Sequence, residues 1–258
     1  MNSAASNSII SDLCDISIEE YLGRRDYISS NGLKRVLDSK LHLQRYLLRQ
    51  NDSTPQLDFG TAVHCSLLEP ERFRREYFAL PVAHADLLHE HDRLLIEEER
   101  GHAVHFITDF QMEAIQGICA QVERLPNIVQ LLRDGLAERS LFWRDAETGI
   151  RCKIRPDLLV LPHLILELKT TFDASLPVFQ HTLQMQRYHL SAAMYLEGVR
   201  QLTGQTLHYV YLVASRHAPY EVQSFVPDAA LLEDGQRLFR GALNRLLAEE
   251  ELRANFRD

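Results

Sequence analysis

Residues 155–171 read Arg-Pro-Asp-Leu-Leu-Val-Leu-Pro-His-Leu-Ile-Leu-Glu-Leu-Lys-Thr-Thr, and this stretch decides the fold. Two apolar runs, Leu158 to Leu161 and Leu164 to Leu168, meet at Pro162-His163. Runs this short, joined by turn formers, predict two buried strands in a hairpin. Pairing brings Asp157, at the start of the first strand, close to Glu167 and Lys169 near the end of the second. Side chains alternate faces along a strand, so Glu167 and Lys169 project together while Leu166 and Leu168 point into the core. Two carboxylates and a lysine then converge on one small volume.

The 258 residues are 45% hydrophobic, enough for a substantial core,. The organisation expected is a tail and lead-in over 1–27 and one domain over 28–258. That domain divides into a helical part (28–137), a strand-rich core (138–226) and a C-terminal helix (228–253). A net charge of −8 disfavours attraction of nucleic acid to the whole surface, so such a partner needs a local basic groove,. Cys14, Cys65, Cys119 and Cys152 are scattered, with no Cys-x-x-Cys pair, which argues against a zinc ribbon or iron–sulfur site and for a reducing compartment,. The small, polar N-terminus has the character of a loose tail, and no apolar run approaches membrane-spanning length,. The expectation is a cytoplasmic protein with no membrane partner.

Ahead of the hairpin, Ser29-Ser30-Asn31 offers helix caps before Leu33, Val36, Leu37, Leu41, Tyr46 and Leu47, an amphipathic helix with a potential break near Ser39,. Its other face carries Lys34, Arg35, Lys40, Arg45 and Arg49, either a solvated face or a phosphate contact,. A second helix, from Asp58 to Pro70, places Gly60 and His64 on one face,. His64 by itself reads as a core histidine or as a ligand. Phe73 to Pro81 is mixed. The histidine-rich segment 84–105 matches no compact zinc set and reads as a surface helix or loop,. Helices follow from Thr108 or Asp109 to Leu125 and around Ile128 to Leu136. Strands Ser140 to Arg144 and Ile150 to Ile154 then flank a turn-rich connection,. After the hairpin come a helix from Val178 to Gly198, strands His208 to Ala214 and Glu221 to Val226, and a helix from Asp228 to about Arg253. Helices on both sides of a strand block predict an α/β or α+β domain.

Paired carboxylates beside a lysine suit a hard divalent cation and a water aimed at a phosphodiester. The oxygens of Asp157 and Glu167 would ligate Mg2+, while Lys169 orients or deprotonates the water and offsets growing charge. An ordinary ion pair explains the three residues equally well in isolation. Against it, the charges interrupt an apolar run, where they are costly without a function or partner.

Pro-Asp, nine intervening residues and Glu-x-Lys resemble the PD-(D/E)xK nuclease superfamily. The wider pattern resembles the RecE-type exonuclease VIII family, a relative of RecB-like and lambda-exonuclease-like nucleases. It comprises Ile28-Ser29, Leu57 to His64, Leu68 to Phe73, Trp143 to Asp145, Glu147 to Ile150, Arg155 to Asp157, Glu167 to Thr171, and Arg187 to His189 running on to Tyr195. The resemblance implies a restriction-endonuclease-like α/β core, a central mixed β-sheet flanked by helices, with an N-terminal helical region. It makes His64, Asp157, Glu167 and the Leu168 backbone carbonyl metal ligands, and Lys169 the water-activating residue. Glu138 takes an acidic position near the metals. Arg155, Thr170, Tyr188, Ser191 and Tyr195 fall at DNA-facing positions. The family's Gln-x-x-x-Tyr is altered, because Ser191 stands where glutamine is expected before Tyr195; Gln184 and Tyr188 form such a pair seven residues earlier.

The reading that follows is an exodeoxyribonuclease using Mg2+, with Mn2+ as a substitute, that degrades linear double-stranded DNA from its ends in the 5′ to 3′ direction, in recombination or repair. The resemblance also implies a homo-oligomer and a single-strand annealing protein as partner. Its rivals are a single-strand-preferring RecB-like nuclease and a non-catalytic DNA-binding module on the same fold.

Overall fold

The computed structural model describes residues 14–48, 55–81 and 90–257. The expected tail lies almost wholly outside them, as do Arg49, His84 and His89. In chain order, α1 (Ile18–Gly23) precedes α2 (Ser30–Asp38), whose cap Ser29 accepts the Gly32 N–H at 3.3 Å. The potential break near Ser39 is real: Ser39 is extended and its hydroxyl caps the start of α3 (Lys40–Leu48), accepting the His42 N–H at 3.2 Å,. Next come α4 (Pro55–Leu68) and α5 (Pro70–Glu76), each with proline in its first turn, where the missing N–H costs nothing,.

The segment read as mixed contains strand β1 (Tyr77–Leu80). After α6 (Glu90–Arg100), β1 pairs in parallel with β2 (His105–Thr108). His105, expected on a surface helix or loop, instead stacks on Tyr77 with centroids 4.8 Å apart. A capping box of Thr108 and Gln111 starts α7 (Asp109–Glu123), and Pro126 starts α8 (Pro126–Asp134),.

The strand block holds β3 (Leu136–Ala137), β4 (Leu141–Arg144), β5 (Arg151–Ile154), β6 (Leu158–Val160) and β7 (Leu164–Thr171). It continues through α9 (Leu176–Met185), α10 (Tyr188–Thr203), β8 (His208–Ser215) and β9 (Val222–Phe225), and α11 (Ala229–Ala248) and α12 (Glu250–Arg253) close the chain. The central sheet is mixed, ordered β3-β6-β7-β8-β9, and only β7 and β8 run parallel to each other. Among the described residues no helix is long and apolar enough to cross a membrane.

The β6–β7 hairpin forms as expected, with Leu158 opposite Leu166 and Val160 opposite Leu164. Leu166 and Leu168 enter the core beneath α4 and α7, while Ile165 enters the opposite core with Tyr209, Tyr211 and α10. The expected helix Val178 to Gly198 is interrupted at Gln186-Arg187, where Arg187 takes a left-handed φ of 50°. Its guanidinium bonds the Lys34 carbonyl at 3.2 Å and Asp38 at 2.6 Å, so a tertiary clasp holds a conformation that sequence periodicity does not announce,. In α10, Gly198 admits the Trp143 ring so closely that a Cβ would lie 2.8 Å from it.

β4 and β5 pair apart from the main sheet, and their connection is built on Asp145. The buried carboxylate accepts the Thr148 N–H and hydroxyl at 2.9 and 2.7 Å, and the Arg240 guanidinium at 2.6 Å. Arg240 also reaches Glu197 at 2.8 Å. Burial alone would raise the Asp145 carboxyl's pKa, but Thr148 and Arg240 outweigh it and hold the group below the usual range,. A depressed carboxyl contributes stability that is present at neutral pH and lost as pH falls through the depressed value. Arg240→Met removes the guanidinium bound to the buried Asp145 carboxylate, while Glu197 keeps Arg200 and Gln201, and should cost about 3 kcal/mol at neutral pH,. Urea midpoints measured against pH should show the deficit narrowing below about pH 4, where aspartate protonates in the unfolded chain.

Candidate active site

Hairpin pairing sets Asp157 and Glu167 on adjacent strands, each only 7% exposed. Asp157 Oδ2 accepts the Leu168 N–H at 2.6 Å, and Oδ1 lies 3.5 Å from His64 Nδ1, delivered by α4. Gly60, one turn earlier, packs near Thr170; a Cβ there would meet Thr170 Oγ1 at 3.5 Å. Lys169 Nζ donates to Glu167 Oε1 at 2.9 Å, as their shared face predicts. Glu138 follows β3 in a left-handed conformation, φ 52°, with its N–H on the Asp157 carbonyl at 3.1 Å. One ligand atom from each of His64, Glu138 and Asp157 lies within 4.8 Å of the others.

The electrostatics follow from crowding. Burial and then the Asp157 charge push the Glu138 carboxyl up to about 7. The same two causes raise Glu167. Burial would also raise Asp157, but His64, Lys169 and the Leu168 N–H overcome it and leave that group lowered. For His64 and Lys169, burial opposes the charged form and the neighbouring carboxylates more than restore it, so both are raised,. Lys169 is therefore an ammonium in this setting.

A cavity of about 690 Å³ opens over Glu167 and Lys169, walled by α2, α4 and the start of α10. Leu168 also lines it, and because its side chain is turned into the α4–α7 core, it presents backbone to the cavity. Thr170, Tyr188, Ser191 and Tyr195 line the same space. Tyr188 lies between two cations, Lys34 Nζ at 5.2 Å and Lys169 Nζ at 5.3 Å from its ring centroid,. Gln184 is exposed in α9, across the break from Tyr188 and outside the lining, so that pair shares no helical face; Gln186 lines the cavity instead.

Arg155 lines a second cavity, with Glu138, rather than the cleft over Lys169. Its guanidinium is bound to Glu138 at 2.8 Å, Ser140 Oγ at 2.6 Å and the Ile16 carbonyl at 3.0 Å. Sequence reasoning placed Lys34 only on a general basic face, yet it lines the cleft, and burial together with the Lys169 charge brings its ammonium down to about 7. Tyr209, which also lines the cleft, has a buried hydroxyl with no partner among the described residues. Neither is marked by a motif, since each depends on how a separate element packs over β7.

The donor set fits a hard divalent cation. Glu167 Oε2 is buried without a hydrogen-bond partner, the state of a carboxylate oxygen placed to ligate,. His64, Asp157 and Glu138 supply an imidazole and further oxygens beside it,.

A family model described as "PDDEXK-like domain of unknown function (DUF3799)" matches residues 29–253. Among solved structures, one from Eubacterium rectale described as "Putative exonuclease" superposes with a TM-score of 0.64 at 14% identity, covering 90% of this chain and 86% of that one. No curated protein matches the sequence.

Arg155 orients a candidate ligand, and removing such support commonly costs 10–100-fold in metal affinity. Arg155→Met should weaken Mn2+ binding to the DNA-free protein by about tenfold or more in calorimetric titration. Unchanged Mn2+ affinity with weakened DNA binding would return Arg155 to a phosphate contact.

Proposed function

The chain belongs to the PDDEXK-like domain family, of the PD-(D/E)xK nuclease superfamily, and from that premise we propose that it is a metal-dependent nuclease hydrolysing DNA phosphodiesters. The observation that carries this reading is Glu167, whose Oε1 is bound to Lys169 and whose buried Oε2 has no partner, beside the His64–Glu138–Asp157 cluster.

In this reading Asp157, Glu167, His64 and Glu138 hold Mg2+ or Mn2+, with the Leu168 backbone beside them. Such an ion supplies Lewis acidity and a water acidified toward neutral pH. Lys169, held charged by Glu167, offsets negative charge developing on the phosphate more readily than it takes a proton,. Lys169, with Lys34 only partly charged near neutral pH, supplies the cleft's positive charge in a chain of net charge −8,. Thr170, Ser191 and Tyr195 contact the strand.

The finer proposal is an exodeoxyribonuclease of RecE type acting 5′ to 3′ from ends of linear duplexes, as a homo-oligomer working with a single-strand annealing protein. Its support is the ordered series of motifs from Ile28 to Tyr195.

End-labelled linear and closed circular duplexes, incubated with Mg2+ or EDTA, test the proposal. Linear DNA should be degraded only with Mg2+, circles should survive, and Lys169→Ala should lower the rate by about 100-fold or more. Absence of metal-dependent loss in the wild type sinks the enzyme reading, and cutting of circles makes it an endonuclease. Ser191→Gln should leave activity unchanged or raise it; collapse in a folded variant would give Ser191 a role of its own.

A further inference from the structure

The strand bearing Glu167 and Lys169 continues past the cleft. After Thr170 and Thr171 it delivers Phe172 to the surface, where the residue is 67% exposed. The ring meets His217, centroids 4.4 Å apart and planes tilted by 56°. His217 is exposed as well.

This pair is built rather than a loose tip. Buried Ser215 places its hydroxyl 3.0 Å from the Phe172 carbonyl and 3.2 Å from the His217 carbonyl, as donor to either, and accepts the His217 N–H at 3.3 Å. The Arg216 N–H donates to the Thr171 carbonyl at 2.9 Å. Farther along the loop, the Gln121 amide holds the Pro219 carbonyl at 3.0 Å. Both rings are thus pinned to the ends of β7 and β8 while their faces stay open.

Two further features lie alongside. Arg216 has no ion pair or side-chain hydrogen bond among the described residues. Among the described residues, a cavity of about 400 Å³ between Arg216, His217 and the 72% exposed Phe110 is lined by no Leu, Ile, Val or Met, and the one carboxylate on it, Glu113, faces the Tyr220 hydroxyl at 3.5 Å. Phe59, on the same cavity, directly precedes Gly60 of the cleft wall on α4.

Open aromatic faces with an unpaired guanidinium are the chemistry that holds bases and phosphates of a single strand, whereas a docking site for protein would offer aliphatic area. Phe172 is the second residue after Thr170, which lines the cleft, so the ring stands close along the chain to the cleft's rim.

We propose that Phe172, His217 and Arg216 form a base-stacking platform that grips single-stranded nucleic acid beyond the Thr170 end of the cleft. The proposal rests on the nuclease reading of the cleft. It is tested by fluorescence anisotropy with a labelled thymidine dodecamer in EDTA. A second assay follows Mn2+-dependent hydrolysis of bis(4-nitrophenyl) phosphate, which is too small to reach Phe172. Phe172→Ala should bind the dodecamer about tenfold more weakly, with Phe172→Trp near wild type and hydrolysis of the small substrate unchanged in both. Wild-type affinity in a folded Phe172→Ala protein overturns the platform. So does a loss confined to self-association in sedimentation, which would make this face a contact with a second copy. A wild type that grips the dodecamer through Phe172 but leaves the small substrate intact supports the platform and sinks the nuclease reading.

Discussion

Two carboxylates held side by side under a protein surface cannot both stay charged unless cations surround them, and the region around β7 is arranged to meet that demand. Asp157 and Glu167 lie on neighbouring antiparallel strands at 7% exposure. One receives His64 and a backbone N–H, the other Lys169. The nearby Glu138 is answered by Arg155. Each cation comes from a different element, so the cluster ties α4 and the β3–β4 connection to the hairpin. Glu167 Oε2 is left over. Bare burial of that oxygen is costly, and the cost falls where a cation would remove it.

The sheet converts this local problem into a directional one. Even-numbered leucines of β7 go to the core beneath α4 and α7, and odd-numbered residues face α10, so Glu167 and Lys169 open toward the cleft rather than toward either core,. The break at Arg187 completes the geometry. A continuous helix would carry Tyr188 onward at regular pitch, but the left-handed residue resets the chain and its guanidinium draws in the end of α2. One clasp therefore brings Lys34 over one side of the Tyr188 ring region while Lys169 approaches from the strand.

What the sequence made legible is what local rules govern. The hairpin follows from two apolar runs and a Pro-His turn, and the shared face of Glu167 and Lys169 follows from strand periodicity,. The order of elements predicts an α/β or α+β domain, and the central mixed sheet flanked by helices is what the family resemblance implies,. Where long-range contacts decide, the sequence is silent. Phe73 to Pro81 shows no alternation because β1 is four residues long and acquires its partner across α6. Arg155, next to Pro156-Asp157, carries no sign that it turns back to Glu138, since that depends on the left-handed Glu138 backbone. Lys34 is one basic residue among several on its helix until α2 is packed against α10.

The altered position at Ser191 can be weighed in the same physical terms. A glutamine would extend an amide into the cleft, whereas Ser191 stops short and is 9% exposed on the cavity wall. The wall around it still carries polar groups. Tyr195 lies on the same helix one turn later, and the Tyr209 hydroxyl is buried with no partner among the described residues. A buried hydroxyl without a partner loses its hydration for no return, so its free energy improves when something polar enters the cleft. The tyrosines also sit in surroundings that keep them neutral, because burial raises both well above the usual phenol range. They therefore remain donors at any physiological pH and suit an anionic guest such as a phosphate. A serine in place of a glutamine therefore takes one donor from a wall that retains others, and it leaves the Glu167–Lys169 pair on β7 as it is.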